Sequence, residues 1–361
     1  MNFSQSLGFL AFLISLYILW EIRYLLLLIF SAVVFAIPLN RLVKKIQLYG
    51  LTRFQATVVV FFCLLFVLSL IIFLVLPPFI SEFTLLLKLL PKAPNKIEEL
   101  LKKSQFYNAE LYQFLFQQIN SYWKQNELLP TRIYNNFLAL FSNVLSIVFQ
   151  VIFVIVLTFV FLLNPQQYRG RVVKMFPAFY RQRISEILDK TEDSICNWLA
   201  GVTINCIFIG ILSAIGLWIL QVKLVLVHGL LAGLLNFIPN IGPTLSVVFP
   251  VTTALVDEPW KILPIVVWYF IVQHIESYWL TPRVMADKVS LLPAITLFCQ
   301  IFFATIFGAL GLILALPLTV VAKTWIEEIL FHDILDQWQI DKHPGKQKLI
   351  SPLHKSGDND G

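Results

Sequence analysis

Long hydrophobic runs without a charged residue, separated by shorter charged stretches, are the main pattern along the chain. A helix needs about 20 apolar residues to cross the ~30 Å hydrocarbon core of a bilayer. Uncharged runs of roughly this length cover residues 54–77, 144–163 and 199–220, and the run at 262–280 contains one acidic residue. Two shorter runs, 7–20 and 24–38, predict a hairpin or a pair of shallow helices. The pattern therefore predicts an all-α, polytopic helical membrane protein.

Two further hydrophobic segments, both in the C-terminal half, are interrupted by proline and glycine. Residues 224–256 are uncharged but contain Pro-Asn-Ile-Gly-Pro at 239–243, which predicts a broken helix. Residues 292–322 are too long for one upright helix, and Gly308, Gly311 and Pro317 predict a bend or a tight helical hairpin there. Paired broken or re-entrant helices of this kind are typical of transport sites.

The composition excludes two broad classes of protein. Hydrophobic residues make up 58% of the 361 residues and charged residues 13%, with a mean hydropathy of +0.79. An ordinary soluble domain carries roughly 25% charged residues, so a soluble globular enzyme is excluded, as is a disordered chain. The net charge of +6 does not indicate a nucleic-acid partner, because Lys and Arg collect in the cytoplasmic loops of membrane proteins.

Basic loops predict the orientation of the chain in the plasma or inner membrane, with both termini in the cytoplasm. Residues 40–53 and 164–198 are rich in Lys and Arg and are separated by two spans, so both fit the cytoplasmic side. The predicted division is as follows: residues 1–78 form N-terminal membrane helices, 79–143 an extracytoplasmic amphipathic helical segment, 144–163 a span, 164–198 a cytoplasmic basic helical segment, 199–325 a C-terminal membrane core, and 326–361 a cytoplasmic tail, largely disordered from about 342.

One carboxylate, Glu276, falls inside a hydrophobic run, whereas the other charged residues between 199 and 321 fall at the ends of runs. A charge at such a depth costs at least ~2.5 kcal/mol and needs a partner, a proton or water. Gln273 precedes Glu276 by three residues and Arg283 follows it by seven, which predicts that the three lie near one helical face. Glu276 is thus a candidate ligand for a substrate or coupling ion; the alternative is a structural ion pair or a position near the interface.

The predicted break at 239–243 supplies a second candidate region. Backbone carbonyls freed by proline must be satisfied within the bilayer, so such a break survives where it is buried in protein or lines a wet cavity. Asn236 and Asn240 lie four residues apart, on one face, and are candidate polar contacts there. The alternative is a tight turn between two ordinary helices.

The motifs of common enzymes are absent from the sequence. It contains no phosphate-binding G-x-x-x-x-G-K-[ST], no HExxH and no G-x-S-x-G, and its four cysteines form no CxxC. We therefore expect no enzymatic activity, no cofactor and no metal site.

Three C-terminal blocks together resemble the autoinducer-2 exporter family, also called PerM-like permeases. They are FIPNIGPTLSVVFPVTTAL, QHIESYWLTPRVMADKVSLLP and FGALGLILALPLTVV. The matching positions are Pro239, Gly242, Pro243, Gln273, Glu276, Pro282, Pro293, Gly308, Gly311 and Pro317. The chain departs from the family pattern at Ser277, Tyr278 and Ala286.

The resemblance implies an all-helical bundle of about eight spans with cytoplasmic termini, and export of small molecules such as autoinducer-2. It assigns the gate or broken helices to Pro239, Gly242, Pro243, Pro282, Gly308, Gly311 and Pro317. Some members of the family look like sodium/proton antiporters.

Three functions are consistent with the sequence. The first is a permease that exports a small polar solute, in which Glu276 binds the solute or couples protons. The second is a sodium/proton antiporter, and the third is a membrane scaffold that transports nothing. In each case the lipid bilayer is a partner, and a homo-oligomer is expected because the outer amphipathic helices need a surface to pack on.

Overall fold

The computed structural model describes residues 3–89, 144–239, 241–280, 283 and 292–335. Within these ranges every regular element is helical, which confirms the all-α prediction. The α-helices are α1 (Phe3–Glu21), α2 (Arg23–Gln47), α3 (Arg53–Leu89), α4 (Val144–Leu163), α5 (Pro165–Lys174), α6 (Arg181–Ile219), α7 (Val225–Leu235), α8 (Ile241–Asp257), α9 (Ile262–Ile275) and α10 (Pro293–Trp325). Turns of 3-10 helix span Ala178–Tyr180 and Pro259–Lys261, and π-helical segments span Glu276–Leu280 and Ile326–Leu335. The outer helices predicted between residues 90 and 143, and the tail beyond Leu335, lie outside the described residues.

Several helices are suited to a bilayer by their length and composition. Among the described residues, five stretches are long and apolar enough to span it, namely Arg23–Gln47, Arg53–Pro78, Ser146–Leu163, Ala178–Ile219 and Ala294–Leu335. Gly8–Glu21, Val225–Leu235 and Ile241–Leu255 are shorter apolar helices. Large hydrophobic side chains such as Phe66 and Phe73 are well exposed on the surface of the protein, as expected where lipid replaces water. The protein is therefore a multi-pass helical membrane protein.

The N-terminal helices depart from the sequence prediction at the end of α3, and between residues 7 and 38 they favour one of two predicted alternatives. α3 continues through Pro77 and Pro78 to Leu89, where the sequence predicted an end at the prolines. Each proline removes only one backbone donor from the ladder, and the helix extends past both. Residues 7–38 form two helices separated by Ile22. All residues from 8 to 21 are exposed, which favours a pair of helices over a packed hairpin.

Arg53 ties the start of α3 to the end of α4. Its Nε donates to the Leu163 carbonyl at 2.9 Å, and its Nη2 donates to the Leu162 carbonyl at 3.0 Å and to Asn40 Oδ1 at 2.9 Å. The last carbonyls of a helix lack intrahelical partners and carry partial negative charge. A guanidinium at this position therefore satisfies three acceptors and holds α2, α3 and α4 together.

The helix α6 joins a charged region to the C-terminal core. Its 39 residues extend about 58 Å at 1.5 Å per residue, nearly twice the hydrocarbon thickness, so its charged first half lies outside the bilayer. There Lys190 Nζ contacts both Glu328 oxygens at 2.7 Å, and Arg183 pairs with Glu328 and Asp333 at 2.9 Å. This ionic network fixes the segment Ile326–Leu335 against α6.

Glycines bring α6 and α7 into close contact. A Cβ atom at Gly233 would lie 2.6 Å from the Cys206 carbonyl oxygen, and one at Gly229 would lie 2.9 Å from the Gly210 carbonyl oxygen. Any side chain there would force the backbones apart. The Gly229–Gly233 pair therefore packs two helices of the same chain and sets the position of α7, which leads into the predicted break.

Candidate functional site

Glu276 is buried where α9 gives way to the π-helical segment, with 8% of its surface exposed. Asn236 Nδ2 donates to its Oε1 at 2.8 Å, and Gln273 Nε2 donates to its Oε2 at 3.2 Å. Gln273 reaches the carboxyl from one turn earlier on α9, and Asn236 reaches it from the residue that follows α7. The structure thus brings three of the candidate residues together, each carboxyl oxygen receiving one amide hydrogen bond.

Arg283 does not join this cluster. Its guanidinium carbon lies 4.5 Å from the ring centre of Trp279, and the side chain is exposed. The expected common face assumed an α-helical period, whereas residues 276–280 are π-helical and have a longer repeat. Within the described residues no Lys, Arg or His nitrogen lies within 4.0 Å of Glu276. Its partners there are neutral.

The predicted break between α7 and α8 is present. α7 ends at Leu235 and α8 begins at Ile241. A Cβ atom at Gly242 would lie 1.8 Å from the Leu235 carbonyl oxygen, so only glycine permits the two helix ends to approach so closely. Asn240 lies outside the described residues, and its role as a polar contact at the break stays a prediction.

Gln300 contacts a carbonyl within the break, that of Pro239, which also accepts from the Ile241 N–H at 2.8 Å. Its Nε2 donates to the Pro239 carbonyl oxygen at 3.1 Å from α10, 61 residues further along the chain. Gln300 is 2% exposed. A polar side chain inside a hydrophobic run was the available sign of this role, yet sequence reasoning missed it because nothing local links residues 239 and 300.

A cleft lies beside Glu276, between α6, α8 and α9, and most of its lining is apolar. It measures about 560 Å³ and reaches Pro243 at the break and Gln273, the partner of Glu276. Its polar lining is Ser213, Thr244, Ser246, Tyr269, Gln273 and Ser277, and the lining includes no charged residue. Sequence reasoning missed these polar residues because they are scattered over α6, α8, α9 and the π-helical segment. They line one cleft, and the hydroxyl oxygens of Ser213 and Tyr269 are themselves buried.

The other predicted break lies in α10, which is sharply bent at Gly308. The backbone there has φ +64° and ψ −144°, a combination that is essentially restricted to glycine. A Cβ atom at Gly311 would lie 2.1 Å from the Phe303 carbonyl oxygen, although eight residues of a straight helix span about 12 Å. The chain therefore folds back at Gly308, as predicted.

Tyr24 of α2 lies directly against this bend. Its hydroxyl donates to the Ile306 carbonyl at 3.2 Å, and its ring meets Phe307 edge to face, with the ring centres 5.8 Å apart. Pro317 is buried in the second half of α10, and Pro282 lies outside the described residues. The bend is thus held from outside α10.

Comparison with known proteins identifies the same family across most of the chain. The model of the AI-2E family transporter matches residues 8–331. YueF of Bacillus subtilis is 28% identical over 201 residues, which is 56% of this chain and 54% of that protein. The AI-2 transport protein TqsA of Escherichia coli K12 is 29% identical over 195 residues, covering 54% of this chain and 55% of TqsA.

A longer match extends to YhhT of Escherichia coli K12, which is 24% identical over 298 residues and covers 82% of both chains. The matches to YueF and TqsA span only about half the length of those relatives.

Proposed function

Because this chain belongs to the AI-2E transporter family, we propose that it exports a small polar solute through its C-terminal membrane core. The observation that carries the proposal is the contact of Gln273 with both sides of the site. Gln273 lines the cleft and donates a hydrogen bond to the buried Glu276. A solute bound in the cleft would therefore act on Glu276 through a single side chain.

The cleft favours an uncharged solute with several hydrogen-bonding groups. Its volume of about 560 Å³ lies within the usual range for small-molecule sites. Hydroxyl and amide groups both donate and accept, so they fit alcohols and carbonyls equally well. A charged solute would enter a lining without a compensating charge, at a high desolvation cost. The name of TqsA, an AI-2 transport protein, makes that signalling molecule one candidate.

The two broken helices are proposed as the moving parts of the path. The first turn of α8 borders the cleft at Pro243, and the preceding loop is contacted at Pro239 by Gln300 of α10. A change in the bend at Gly308 would therefore pull directly on the Pro239 carbonyl. In this scheme α10 is the gate, and the Gln300 hydrogen bond links the gate to the cleft.

Glu276 is proposed to couple export to protons. Its two amide partners stabilise a carboxylate, yet neither carries the positive charge that would hold it ionised at this depth. Such a group can gain and lose a proton during a cycle. The same observation favours sodium/proton antiport as the second candidate function, since that exchange also needs a carboxylate that changes its protonation state.

The location, the orientation in the membrane and the oligomeric state of the protein are also part of the proposal. We propose a location in the plasma or inner membrane with both termini in the cytoplasm, so that the network around Glu328 faces the cytoplasm. We also propose a homo-oligomer, because α1 exposes all its residues from 8 to 21 and a second copy would cover part of them.

Export is tested by metabolomics of the medium and of cells that carry the wild type, a deletion, or Glu276→Gln. We expect one small solute to accumulate inside both the deletion strain and the Glu276→Gln strain. Glu327→Gln is the matched control, because Glu327 is an exposed acid whose partner is Lys323 at 3.6 Å. If no solute changes in the deletion strain, export is refuted.

The antiport alternative is tested with purified protein in vesicles that contain a pH-sensitive dye. Addition of sodium to one side should move protons if the protein is an antiporter, and this movement should disappear in Glu276→Gln. No proton movement on adding sodium argues against antiport and leaves solute export as the function.

A further inference from the structure

A second titratable group, His228, is completely buried in the membrane core. It lies one turn into α7 and has 0% of its surface exposed. Its Nε2 lies 3.2 Å from the Thr253 hydroxyl oxygen of α8. Its other nitrogen, Nδ1, has no hydrogen-bond partner in the part of the chain that the structure describes. Buried polar atoms are rarely left unpaired, so Nδ1 points to a role involving water or a proton.

Thr253 connects His228 to a charged pocket. It lines a pocket of about 220 Å³ together with Lys223, Asp257 and Lys261. Lys261 is largely buried and donates to the Gln221 carbonyl at 3.0 Å. The pocket lies beyond the C-terminal end of α6, whereas the Glu328 network lies at the opposite end of the same helix. It therefore opens towards the other side of the membrane.

The charges available to His228 are confined to this pocket. Residues 54–81 of α3, 199–219 of α6 and 241–256 of α8 contain no Asp, Glu, Lys or Arg, and their titratable side chains are Cys63 and Cys206. α9 adds Tyr269 and the exposed His274. In the pocket, Lys223 pairs with Asp257 at 2.9 Å. Hydrogen bonds from Lys261 and Trp260 lower the pKa of Glu258, which stays a carboxylate at neutral pH. The pocket therefore places two carboxylates, each paired with a lysine, next to Thr253.

We propose that His228 is a second proton-binding group of the transport cycle, loaded from this pocket through the Thr253 hydroxyl. In the loading step the Thr253 hydroxyl turns from the Phe249 carbonyl, 3.2 Å away, to Nε2 and gives its proton to that nitrogen, while its oxygen takes a proton from a hydronium ion in the pocket, which leaves as water. The resulting imidazolium then releases its Nδ1 proton inward to water. The inference rests on the proposed proton coupling at Glu276.

The position of His228 on α7 fits this role. α7 leads from His228 to Asn236, the hydrogen-bond partner of Glu276, eight residues or about 12 Å further along. Nε2 of the imidazole contacts Thr253, which lines the pocket, and Nδ1 has no hydrogen-bond partner among the described residues. The ring therefore lies between the pocket and the core. A water chain along α7 would complete the path to Glu276.

The first test is a solid-state NMR titration of the full-length protein, labelled with 15N-histidine and reconstituted in liposomes. Histidine in water titrates between about pH 5 and pH 8, and burial disfavours a charged side chain, so spectra are recorded from about pH 8 down to about pH 3. The chain has five histidines, and the resonance that disappears in His228→Gln belongs to His228. We expect it to change from neutral to protonated imidazole. A resonance that stays neutral throughout overturns the proposal, whether or not transport is observed.

The second test measures proton flux in proteoliposomes of the wild type, His228→Gln and His274→Gln. Glutamine at 228 keeps a polar atom near Thr253 but cannot titrate, so we expect loss of proton flux. His274→Gln is the control, because His274 is an exposed histidine that contacts the Phe270 carbonyl at 2.8 Å and the rings of Phe270 and Tyr278. It should leave the flux unchanged.

The outcomes separate the two proposals. If the wild type moves protons and His228→Gln moves them equally fast, the role of His228 is refuted while coupling at Glu276 survives. If the wild type moves no protons, the coupling fails, and the NMR titration alone decides whether His228 binds a proton. Purified, folded His228→Gln protein is confirmed by its gel-filtration profile and circular dichroism.

Discussion

The hydrogen bond between Asn236 and Glu276 allows a direct measurement of the state of the buried acid. We expect Asn236→Ala and Glu276→Met to be coupled, because Asn236 Nδ2 lies 2.8 Å from Glu276 Oε1 and both residues are less than 10% exposed. Methionine keeps the size of glutamate but has no strong acceptor. The coupling energy is the part of the destabilisation that the two single variants do not explain separately.

The expected magnitude depends on the charge of Glu276. Hydrogen bonds between neutral groups of membrane helices average about 0.6 kcal/mol, with a maximum near 1.7 kcal/mol. A hydrogen bond to a charged group contributes about 1.5–3 kcal/mol. A coupling energy of about 2 kcal/mol or more therefore indicates a carboxylate, and one of about 0.6 kcal/mol indicates a protonated acid, as proton coupling requires in part of the cycle.

The assay is reversible unfolding of the purified protein in mixed micelles by a denaturing detergent. Thr305→Val combined with Glu276→Met is the control cycle. Thr305 is exposed and donates to the Ile301 carbonyl of its own helix at 2.8 Å, so the two effects should add within about 0.5 kcal/mol. A coupling energy between Asn236 and Glu276 that is no larger than in the control cycle would refute the geometry of the site.

Three further predictions concern stability, each measured by unfolding in micelles. Arg53→Met should destabilise the protein by about 1.5–3 kcal/mol, because it removes charged hydrogen bonds to the end of α4. Gly308→Ala should destabilise the protein by about 1–3 kcal/mol, because a φ of +64° strains any residue that has a Cβ atom. No described atom lies within 4 Å of the new Cβ, so this strain acts without a steric clash. The hydrogen bonds of Glu258 lower the pKa of its carboxyl group in the folded protein. Its contribution to the free energy of unfolding is therefore complete above the unfolded pKa of about 4.3 and is lost as the pH falls through the lower folded pKa. Glu258→Gln should make the stability depend less on pH in this acid range.

Each of these predictions has its own control. Arg53→Lys keeps the charge and should lose less stability than Arg53→Met; an equal loss would mean that packing dominates. Gly170→Ala in α5 introduces a methyl group with equally open surroundings but at an ordinary φ, and should be neutral or stabilising. If Gly308→Ala behaves in the same way, the bend does not depend on glycine. If Glu258→Gln loses as much stability at low pH as the wild type, the third prediction is contradicted.

Much of the fold is readable from local pattern. The hydrophobic runs predict the helices because burial in lipid demands apolar side chains at every position of a span. The broken segments at 239–243 and near Gly308 are predictable because proline and glycine act on their own backbone. Glu276 stands out as a candidate because a carboxylate at that depth is costly wherever the helix packs.

The tertiary structure alone decided which groups meet Glu276 and the break. Asn236 reaches Glu276 across 40 residues and Gln300 reaches Pro239 across 61, and no local rule connects positions so far apart. Arg283 is separated from Glu276 because residues 276–280 adopt a π-helical repeat. The neighbours of His228 likewise depend on how closely α7 packs against α6 and α8. Sequence determines where helices form and break, since those preferences act over a few residues, whereas the polar contacts of the core depend on packing between distant helices.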